Sequence, residues 1–192
     1  MDLTERYYSE EKFSGLDFSD RDLSGTEFWK CVFQKCNLTA SDARNASFES
    51  SVFSDCKLSN MTVDGAKFTD VRFERCKILG MKFFKCSHMS FEISMRESTL
   101  SLCNFSDLPM KRCVFTGCSF SECWFQNTFL AEADFSSSSF SETLFHNCDL
   151  QRANFIDATG YNIDPMTNKL KKARFSVPEV LNLLSHFDIV IK

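Results

Sequence analysis

Several features on which enzymes, membrane proteins and nucleic-acid-binding proteins depend are scarce in this 192-residue chain. It has six glycines and three histidines, and we find in it neither a glycine-rich phosphate loop nor a nucleophile–histidine–carboxylate triad. No apolar run approaches the roughly 20 residues of a membrane span. The first residues, MDLTERYYSEEKF, lack the apolar core of a secretory signal. The formal charge of −4 argues against a broadly basic nucleic-acid-binding surface. We therefore expect a cytoplasmic, non-enzymatic protein without cofactor, nucleic-acid partner or membrane contact.

Phenylalanine, by contrast, is abundant and periodic. Of the 22 Phe residues, 17 lie on a five-residue period that runs from Phe13 to Phe83 and, after a shift of two residues, from Phe105 to Phe155. In the segment from Cys113 to Phe155 a small residue comes two positions before each large one, as Cys113 does before Phe115. Helices repeat at about 3.6 residues and strands at about 2, so this period fits neither. Such self-similarity is typical of a solenoid, in which each unit buries its apolar side against its neighbours.

A longer period of 20 residues lies inside the short one, because Phe13, Phe33 and Phe53 share one type of position while Leu38 and Leu58 share another. Four pentapeptides therefore form one turn of a square coil. Some seven coils, about 4.8 Å apart, would make a rod about 35 Å long. We predict an all-β solenoid over residues 13–157, an N-terminal cover over 1–12, and a C-terminal turn, helix and strand over 158–192.

The five-residue register breaks near residues 86–94. Phe91 would occupy a slot otherwise kept for a small residue, so we predict a bulge or short loop that projects from one face. A two-residue kink without a role is the alternative. Because insertions in solenoids often lie on the binding face, the predicted partner-binding residues of this loop are His88, Met89, Phe91 and Glu92.

The C-terminal segment has the pattern of an end cap. The residues SVPE at 176–179 resemble a helix capping box, an apolar stripe at helical spacing follows, and a strand is predicted over 187–191. The last coil of a solenoid exposes an apolar cross-section and strand edges. We predict that this segment caps one rod or joins two rods end to end through Val177, Val180, Leu181, Leu184, Phe187 and Ile189.

The ten cysteines fall on the small position of the repeat, and Cys36, Cys56 and Cys76 should stack in one column. Stacked thiols could form disulfides or hold a soft metal. A metal site, however, gives no reason to place every cysteine on a structural lattice. We interpret them as small buried residues in a reducing compartment and predict no metal site.

The segment from Cys113 to Gln151 contains no Lys or Arg. Its five acids are the predicted partner-binding residues Glu122, Glu132, Asp134, Glu142 and Asp149. The 20-residue period places Glu122 above Glu142, and Glu132 between Arg112 and Arg152. We expect the acids to occupy one or two faces of the C-terminal coils. A negative rod can compete with DNA for a basic groove; the alternative is a charged exterior of the kind that any such solenoid needs.

With these patterns the chain resembles the pentapeptide-repeat family. The segments RDLSG at 21–25, CNLTA at 36–40 and ADFSS at 133–137 match its A(D/N)LXX consensus. The resemblance implies a right-handed quadrilateral β-helix. Size and ending are similar to the branch of Qnr-type proteins, MfpA and McbG, which implies a homodimer that binds DNA gyrase or topoisomerase IV, imitates duplex DNA and protects the enzyme from quinolones or peptide poisons. The alternative is a generic protein–protein interaction rod without a topoisomerase partner.

Overall fold

The computed structural model describes residues 5–187 together with 189 and 190. Within them the chain winds into an all-β parallel solenoid of about eight turns, which confirms the predicted fold class. Each coil has four faces, which we name A to D in chain order. In one N-terminal coil their inward residues are Phe28, Phe33, Leu38 and Ala43, all of which are buried. An edge between two faces takes both letters, so the A/B and C/D edges lie diagonally opposite each other.

Successive coils pair in parallel at a spacing of 20 residues, as Phe33 and Phe53 do on face B. Face A contains the strands Tyr7–Ser9, Glu27–Trp29, Ser47–Glu49 and Lys67–Thr69. Face B contains Lys12–Ser14, Val32–Gln34, Val52–Ser54, Val71–Glu74, Ile93–Arg96, Val114–Thr116, Asn154–Phe155 and Arg174–Phe175. Face C contains Lys57–Ser59, Lys77–Leu79, Thr99–Ser101, Ser119–Ser121 and Ser139–Ser141. Face D contains Trp124–Gln126, Leu144–His146 and Asn162–Ile163.

The large residue of each pentapeptide fills the core. Phe rings in one column stack, with centroids 4.6 Å apart for Phe33 and Phe53 and 4.9 Å apart for Phe125 and Phe145. Rings on adjacent faces, such as Phe115 and Phe120, and rings on opposite faces, such as Phe115 and Phe125, meet edge to face, so the interior is a continuous aromatic column. Aromatic pairs prefer both of these arrangements. The repeated Phe therefore accounts for the stacking of the coils.

The residue before each large one supports the turn that follows it when it is Asp or Asn. Asp22 Oδ1 accepts the backbone N–H of Ser24 at 2.9 Å, and Asn37 Oδ1 accepts that of Thr39 at 3.2 Å. Such Asx turns satisfy a backbone donor locally. The Asp or Asn of the repeat is thus explained by backbone hydrogen bonding, independently of any partner.

The small position of the repeat is also explained by hydrogen bonds between coils. Cys36 N–H points at Cys56 Sγ, 3.4 Å away, and Cys31 N–H donates to Ser51 Oγ at 3.1 Å. A thiol or hydroxyl here satisfies a buried backbone donor that would otherwise be costly. The predicted column of stacked cysteines is confirmed by the Cys36–Cys56 contact.

At the register break the coil lengthens to 22 residues, so that Phe73 pairs with Met95. A short 3-10 helix, Phe83–Lys85, precedes it. The backbone loops outward at His88 and Met89, which are exposed, and Phe91 then turns inward and is buried. The predicted projecting loop is therefore correct for its first half. The expectation that Phe91 would crowd a small slot is wrong, because the extra residues let it take the place of a large one.

The solenoid begins earlier and ends later than predicted. Tyr7–Ser9 pairs with Glu27–Trp29, so residues within the expected cover already form face A of the first coil. At the other end Arg174–Phe175 pairs with Asn154–Phe155, well past residue 157. Phe175 stacks on Phe155 with centroids 5.2 Å apart, which extends the aromatic column.

The C-terminal cap differs from its prediction. A 3-10 helix, Glu179–His186, takes the place of the expected α-helix. The predicted capping box is wrong: no side chain caps this helix, and Ser176 Oγ instead accepts the N–H of Asp157 at 2.8 Å. Residues 187, 189 and 190 are not in a strand; 188 and 191 lie outside the described residues. None of the described helices is long and apolar enough to cross a membrane.

Candidate functional site

The five acids of the base-free segment are separated by the fold. Glu132 lies at the A/B edge and is held by two cations: Arg112 Nε is 3.0 Å from its Oε2, and Lys111 Nζ is 3.5 Å from its Oε1. The hydrogen bond from Arg112 holds the pKa of Glu132 below its usual range. Its charge is therefore neutralised within the molecule.

Asp134 and Asp149 also have internal roles. Asp134 Oδ1 accepts the backbone N–H of Ser136 at 3.0 Å and the Nδ2–H of Asn154 at 2.8 Å. Asp149 Oδ1 accepts the N–H of Gln151 at 3.1 Å. Both occupy the turn-supporting position of the repeat, on faces B and A respectively. The prediction that all five acids share one or two faces is wrong, because each position in the pentapeptide sends its side chain to a fixed place on the coil.

Glu122 and Glu142 are different. Both are exposed, both have a left-handed backbone (φ 51° and 49°), and they occupy the C/D edge on adjacent coils. Glu122 N–H donates to the carbonyl of Ser141, so the two edge residues lie in register. Within the described part of the chain neither carboxylate has an ion-pair partner. Their predicted stacking is confirmed, and they form an uncompensated pair of negative charges.

Two apolar side chains lie directly beside these carboxylates. Trp124 and Leu144 follow the two glutamates by two residues, pair with each other on face D, and are 38% and 44% exposed. We call Glu122, Trp124, Glu142 and Leu144 the acid–apolar surface. The apolar part of this surface was not predicted from the sequence, although Trp124 and Leu144 occupy an outward position immediately before the buried Phe of the repeat.

The acid–apolar surface is bordered by ordered side chains. Asn147 Nδ2 donates to Asn127 Oδ1 at 2.7 Å, and Asn127 Nδ2 donates to Asp107 Oδ1 at 3.0 Å, so an amide ladder fixes the far edge of face D. Below Leu144 the column continues with Asn162, whose Oδ1 is 2.7 Å from Nε2 of His186 on the C-terminal helix. The surface thus adjoins the C-terminal cap.

The predicted loop residues lie elsewhere. Met89 is 79% exposed, His88 Nε2 is 3.3 Å from the Phe84 carbonyl, and Glu92 is exposed. Phe91 packs against Phe68, with ring centroids 6.3 Å apart, and cannot reach a partner. This loop belongs to the start of face A in an earlier coil. The structure does not bring it together with the acid–apolar surface.

The predicted dimerisation residues are in part available. Val180 and Leu184 are half-buried, and Leu183, which was not predicted, packs on the core. Of the predicted residues, those that are exposed are Val177, Leu181, Phe187 and Ile189, and Val190 is exposed as well.

The ten cysteines belong to the core of the solenoid. All ten cysteines are free and buried. Burial raises the pKa of Cys118 and of Cys148 to about 11, so these thiols remain protonated at neutral pH. Only a thiolate is a good nucleophile or metal ligand. Among the described residues no group of three or more His, Cys, Asp or Glu could hold a metal ion.

Comparison with protein families agrees with this repeat geometry. The family model described as "Pentapeptide repeat region" matches residues 8–83 and 26–106. The model described as "Pentapeptide repeats (8 copies)" matches residues 113–152 and 130–159. The chain belongs to the pentapeptide-repeat family. No curated protein matches its sequence.

Solved structures of this family share the fold. Full-length QnrB1, a plasmid-mediated fluoroquinolone resistance protein, is similar with a TM-score of 0.64 and 18% identity over 95% of this chain and 90% of QnrB1. A trypsin-treated point variant of QnrB1 gives a TM-score of 0.54 and 20% identity over 98% and 94%. HetL, involved in heterocyst differentiation regulation in the cyanobacterium Nostoc sp. strain PCC 7120, gives 0.49 and 14% identity over 87% and 84%. At these identities the likeness concerns the fold.

Proposed function

We propose that this pentapeptide-repeat protein is a non-enzymatic interaction protein that binds a bacterial type II topoisomerase and protects it from a quinolone or peptide poison. The observation that carries the proposal is the acid–apolar surface, where Glu122 and Glu142 occupy the edge of the face that carries the exposed Trp124. The fold likeness to a fluoroquinolone resistance protein supports the choice of partner.

The chemistry of the surface fits a basic groove lined with apolar side chains. Glu122 and Glu142 attract such a groove by the same electrostatics that attract DNA phosphates. Trp is among the residue types that most often dominate binding energy at interfaces, particularly where the surrounding contacts exclude water from it. The proposed mimicry of DNA is therefore confined to this short acidic column, and Trp124 supplies the anchor.

Two further contacts belong to the proposal. The loop side chains of His88, Met89 and Glu92 are exposed and would meet the partner at a second point, whereas the buried Phe91 would not. The exposed apolar residues Leu181 and Phe187 would join two copies end to end.

A gyrase supercoiling assay with ciprofloxacin or microcin B17 tests the function. Added protein should restore supercoiling, and the double variant Glu122→Lys/Glu142→Lys should lose most of that rescue. The double variant Lys57→Glu/Lys77→Glu, which reverses two exposed charges on face C, serves as a control and should rescue normally. Absence of both rescue and gyrase binding at low salt would refute the proposal.

A rod without a topoisomerase partner is the second candidate. It is favoured by the finding that three of the five acids, Glu132, Asp134 and Asp149, are engaged within the molecule, which leaves little DNA-like charge. This candidate predicts that immobilised protein retains no gyrase subunit from purified mixtures. Sedimentation of Leu181→Asp tests the end-to-end dimer separately, because the substitution should yield monomers while leaving the buried core intact.

A further inference from the structure

A concentration of positive charge lies on the edge diagonally opposite the acid–apolar surface. Although the segment from Cys113 to Gln151 contains no base, the 20-residue coil places bases from before and after it in neighbouring columns. The A/B edge carries, on four successive coils, Arg112, Glu132, Arg152 and Lys172. We call the whole group the basic edge; its members are Lys111, Arg112, Arg152, Lys169, Lys171, Lys172 and Arg174.

The charge of the basic edge is only partly compensated. Glu132 forms ion pairs with Arg112 and Lys111. Asp149 is joined to Lys169 by a backbone bridge, and its Oδ1 supports a backbone turn. Within the part of the chain that the structure describes, the other members have no ion-pair partner; they are Arg152, Lys169, Lys171, Lys172 and Arg174. All five are exposed. The edge therefore presents a local excess of positive charge on a chain whose net charge is negative.

An aromatic side chain and a groove accompany these bases. Phe129 points outward from face A, is 59% exposed, and pairs with Asp149 one coil before Lys169. Asp149 in turn lines a groove of about 330 Å³, whose other charged lining residues are Lys111, Glu132, Arg152, Lys171 and Lys172. The groove is also lined by Ala131, which lies two residues from Phe129 on the same face and has a small side chain that leaves the groove open.

We propose that the basic edge and Phe129 form a binding site for single-stranded nucleic acid. Sites of this type combine a positive groove that follows the phosphates with an aromatic ring on which a base stacks. From Arg112 to Lys172 the edge spans three coil steps, or about 14 Å. That length suits about two or three phosphates, which is too few for the footprint that a duplex-binding protein needs.

The aromatic ring distinguishes this ligand from an acidic polypeptide. An acidic peptide would use the bases and would gain little from a flat exposed ring, whereas stacking on an aromatic side chain is available to every nucleobase. The negative net charge of the whole protein argues against a broadly basic surface. It does not prevent nucleic acid from binding at the basic edge, because exposed charges more than about 10 Å apart are screened at ordinary salt.

Fluorescence polarisation with a labelled oligothymidylate of about 12 nucleotides tests the site. The natural protein should bind it, and the logarithm of affinity should fall with the logarithm of salt with a slope of about −2 for three phosphate contacts. Phe129→Ala should weaken binding about tenfold, and Phe129→Tyr should restore it, because the ring is what stacks. Lys171→Glu/Lys172→Glu should weaken binding at least tenfold and flatten the salt slope.

Two further variants make the test specific. Glu132→Gln should tighten binding about threefold, because it releases Arg112 and Lys111 for phosphate contact. Lys57→Glu/Lys77→Glu, with the same change of charge on face C, should bind as the natural protein does. No polarisation change at about 50 mM salt, equal weakening by the face C control, or displacement by polyglutamate together with an unaffected Phe129→Ala would each overturn the proposal.

Discussion

The two diagonally opposite edges of the C-terminal coils differ in both charge and chemistry. At the C/D edge, Glu122 and Glu142 are stacked and unpaired beside Trp124. At the A/B edge, Glu132 is enclosed by Arg112 and Lys111, and further bases surround it. Residues ten apart in one base-free segment thus reach opposite environments. In a solenoid, charge must be counted down the columns of the coil because a count along the sequence mixes surfaces that never meet.

The sharpest test of this contrast compares two exposed aromatic residues, Trp124 on face D and Phe129 on face A. Trp124→Ala should weaken binding to the isolated topoisomerase about 30-fold, or about 2 kcal/mol, as loss of an interface anchor does. Phe129→Ala on face A, outside the acid–apolar surface, should leave that affinity unchanged. Titration calorimetry measures both.

Trp29→Ala serves as a matched control for the first variant, since Trp29 is the other tryptophan and lies on face A of the N-terminal coils. Equal affinities of the natural protein and Trp124→Ala would remove the acid–apolar surface from the proposed interface.

The second test separates acids that hold the fold from acids that face a partner. Asp134→Ala removes the acceptor for Ser136 N–H and Asn154 Nδ2–H and should cost about 1–2 kcal/mol of unfolding free energy. Asp134→Asn keeps an Oδ1 acceptor and should be nearly neutral. Glu142→Ala, at the free C/D edge, should not lower stability. Urea unfolding monitored by circular dichroism gives the three values.

If Asp134→Ala and Glu142→Ala changed the urea midpoint equally, the distinction between the two kinds of acid would fail. Equal stability losses in Asp134→Ala and Asp134→Asn would also count against it, because the charge and not the acceptor would then be responsible.

The fold could be predicted from the sequence because every coil repeats the same contacts. Phe33 and Phe53 meet the same neighbours, so one rule read five residues at a time describes the core. The boundaries were predicted too narrowly because the end coils depart from that rule: Tyr8 replaces Phe at one end, and a non-standard spacing precedes Phe175 at the other.

The candidate surface could be predicted only in part. The stacking of Glu122 and Glu142 follows from the 20-residue period. Trp124 was not predicted, because the five-residue period identifies the inward residues and Trp124 points outward. Phe91 and Ser176 were misassigned for a shared reason. Each depends on a local rearrangement, an outward loop in one case and a hydrogen bond to Asp157 in the other, that sequence spacing does not encode.

The third test uses pH to measure what the turn-supporting carboxylates contribute to the free energy of unfolding. Hydrogen bonds from Ser19, Ser24 and Arg44 lower the pKa of Asp17, Asp22 and Asp42 respectively. A carboxyl group whose pKa is lower in the folded than in the unfolded state stabilises the fold above the unfolded value, about 3.9, and loses that contribution as pH falls through the folded value.

Unfolding free energy should therefore be constant with respect to these groups near neutral pH and should decline as the pH falls below about 4. Asp42→Asn, measured by urea unfolding at a series of pH values, should flatten this decline. A decline of the same slope in Asp42→Asn would show that the turn carboxylates are not its source.

The smallest expected effect concerns the unpaired glutamates themselves. Glu142→Lys places a cation beside Glu122 in the C/D column and replaces a like-charge pair by an opposite-charge pair. It should raise the unfolding free energy by about 0.5 kcal/mol at low salt, with the gain disappearing at high salt. The same variant should bind the topoisomerase more weakly, since it removes half of the negative charge of the acid–apolar surface. A residue whose replacement stabilises the fold while weakening binding is retained for the interface. Thermal unfolding and a binding titration on one preparation measure both effects. A variant that lost stability would assign Glu142 to the fold. A variant that bound as well as the natural protein would assign Glu142 to neither role.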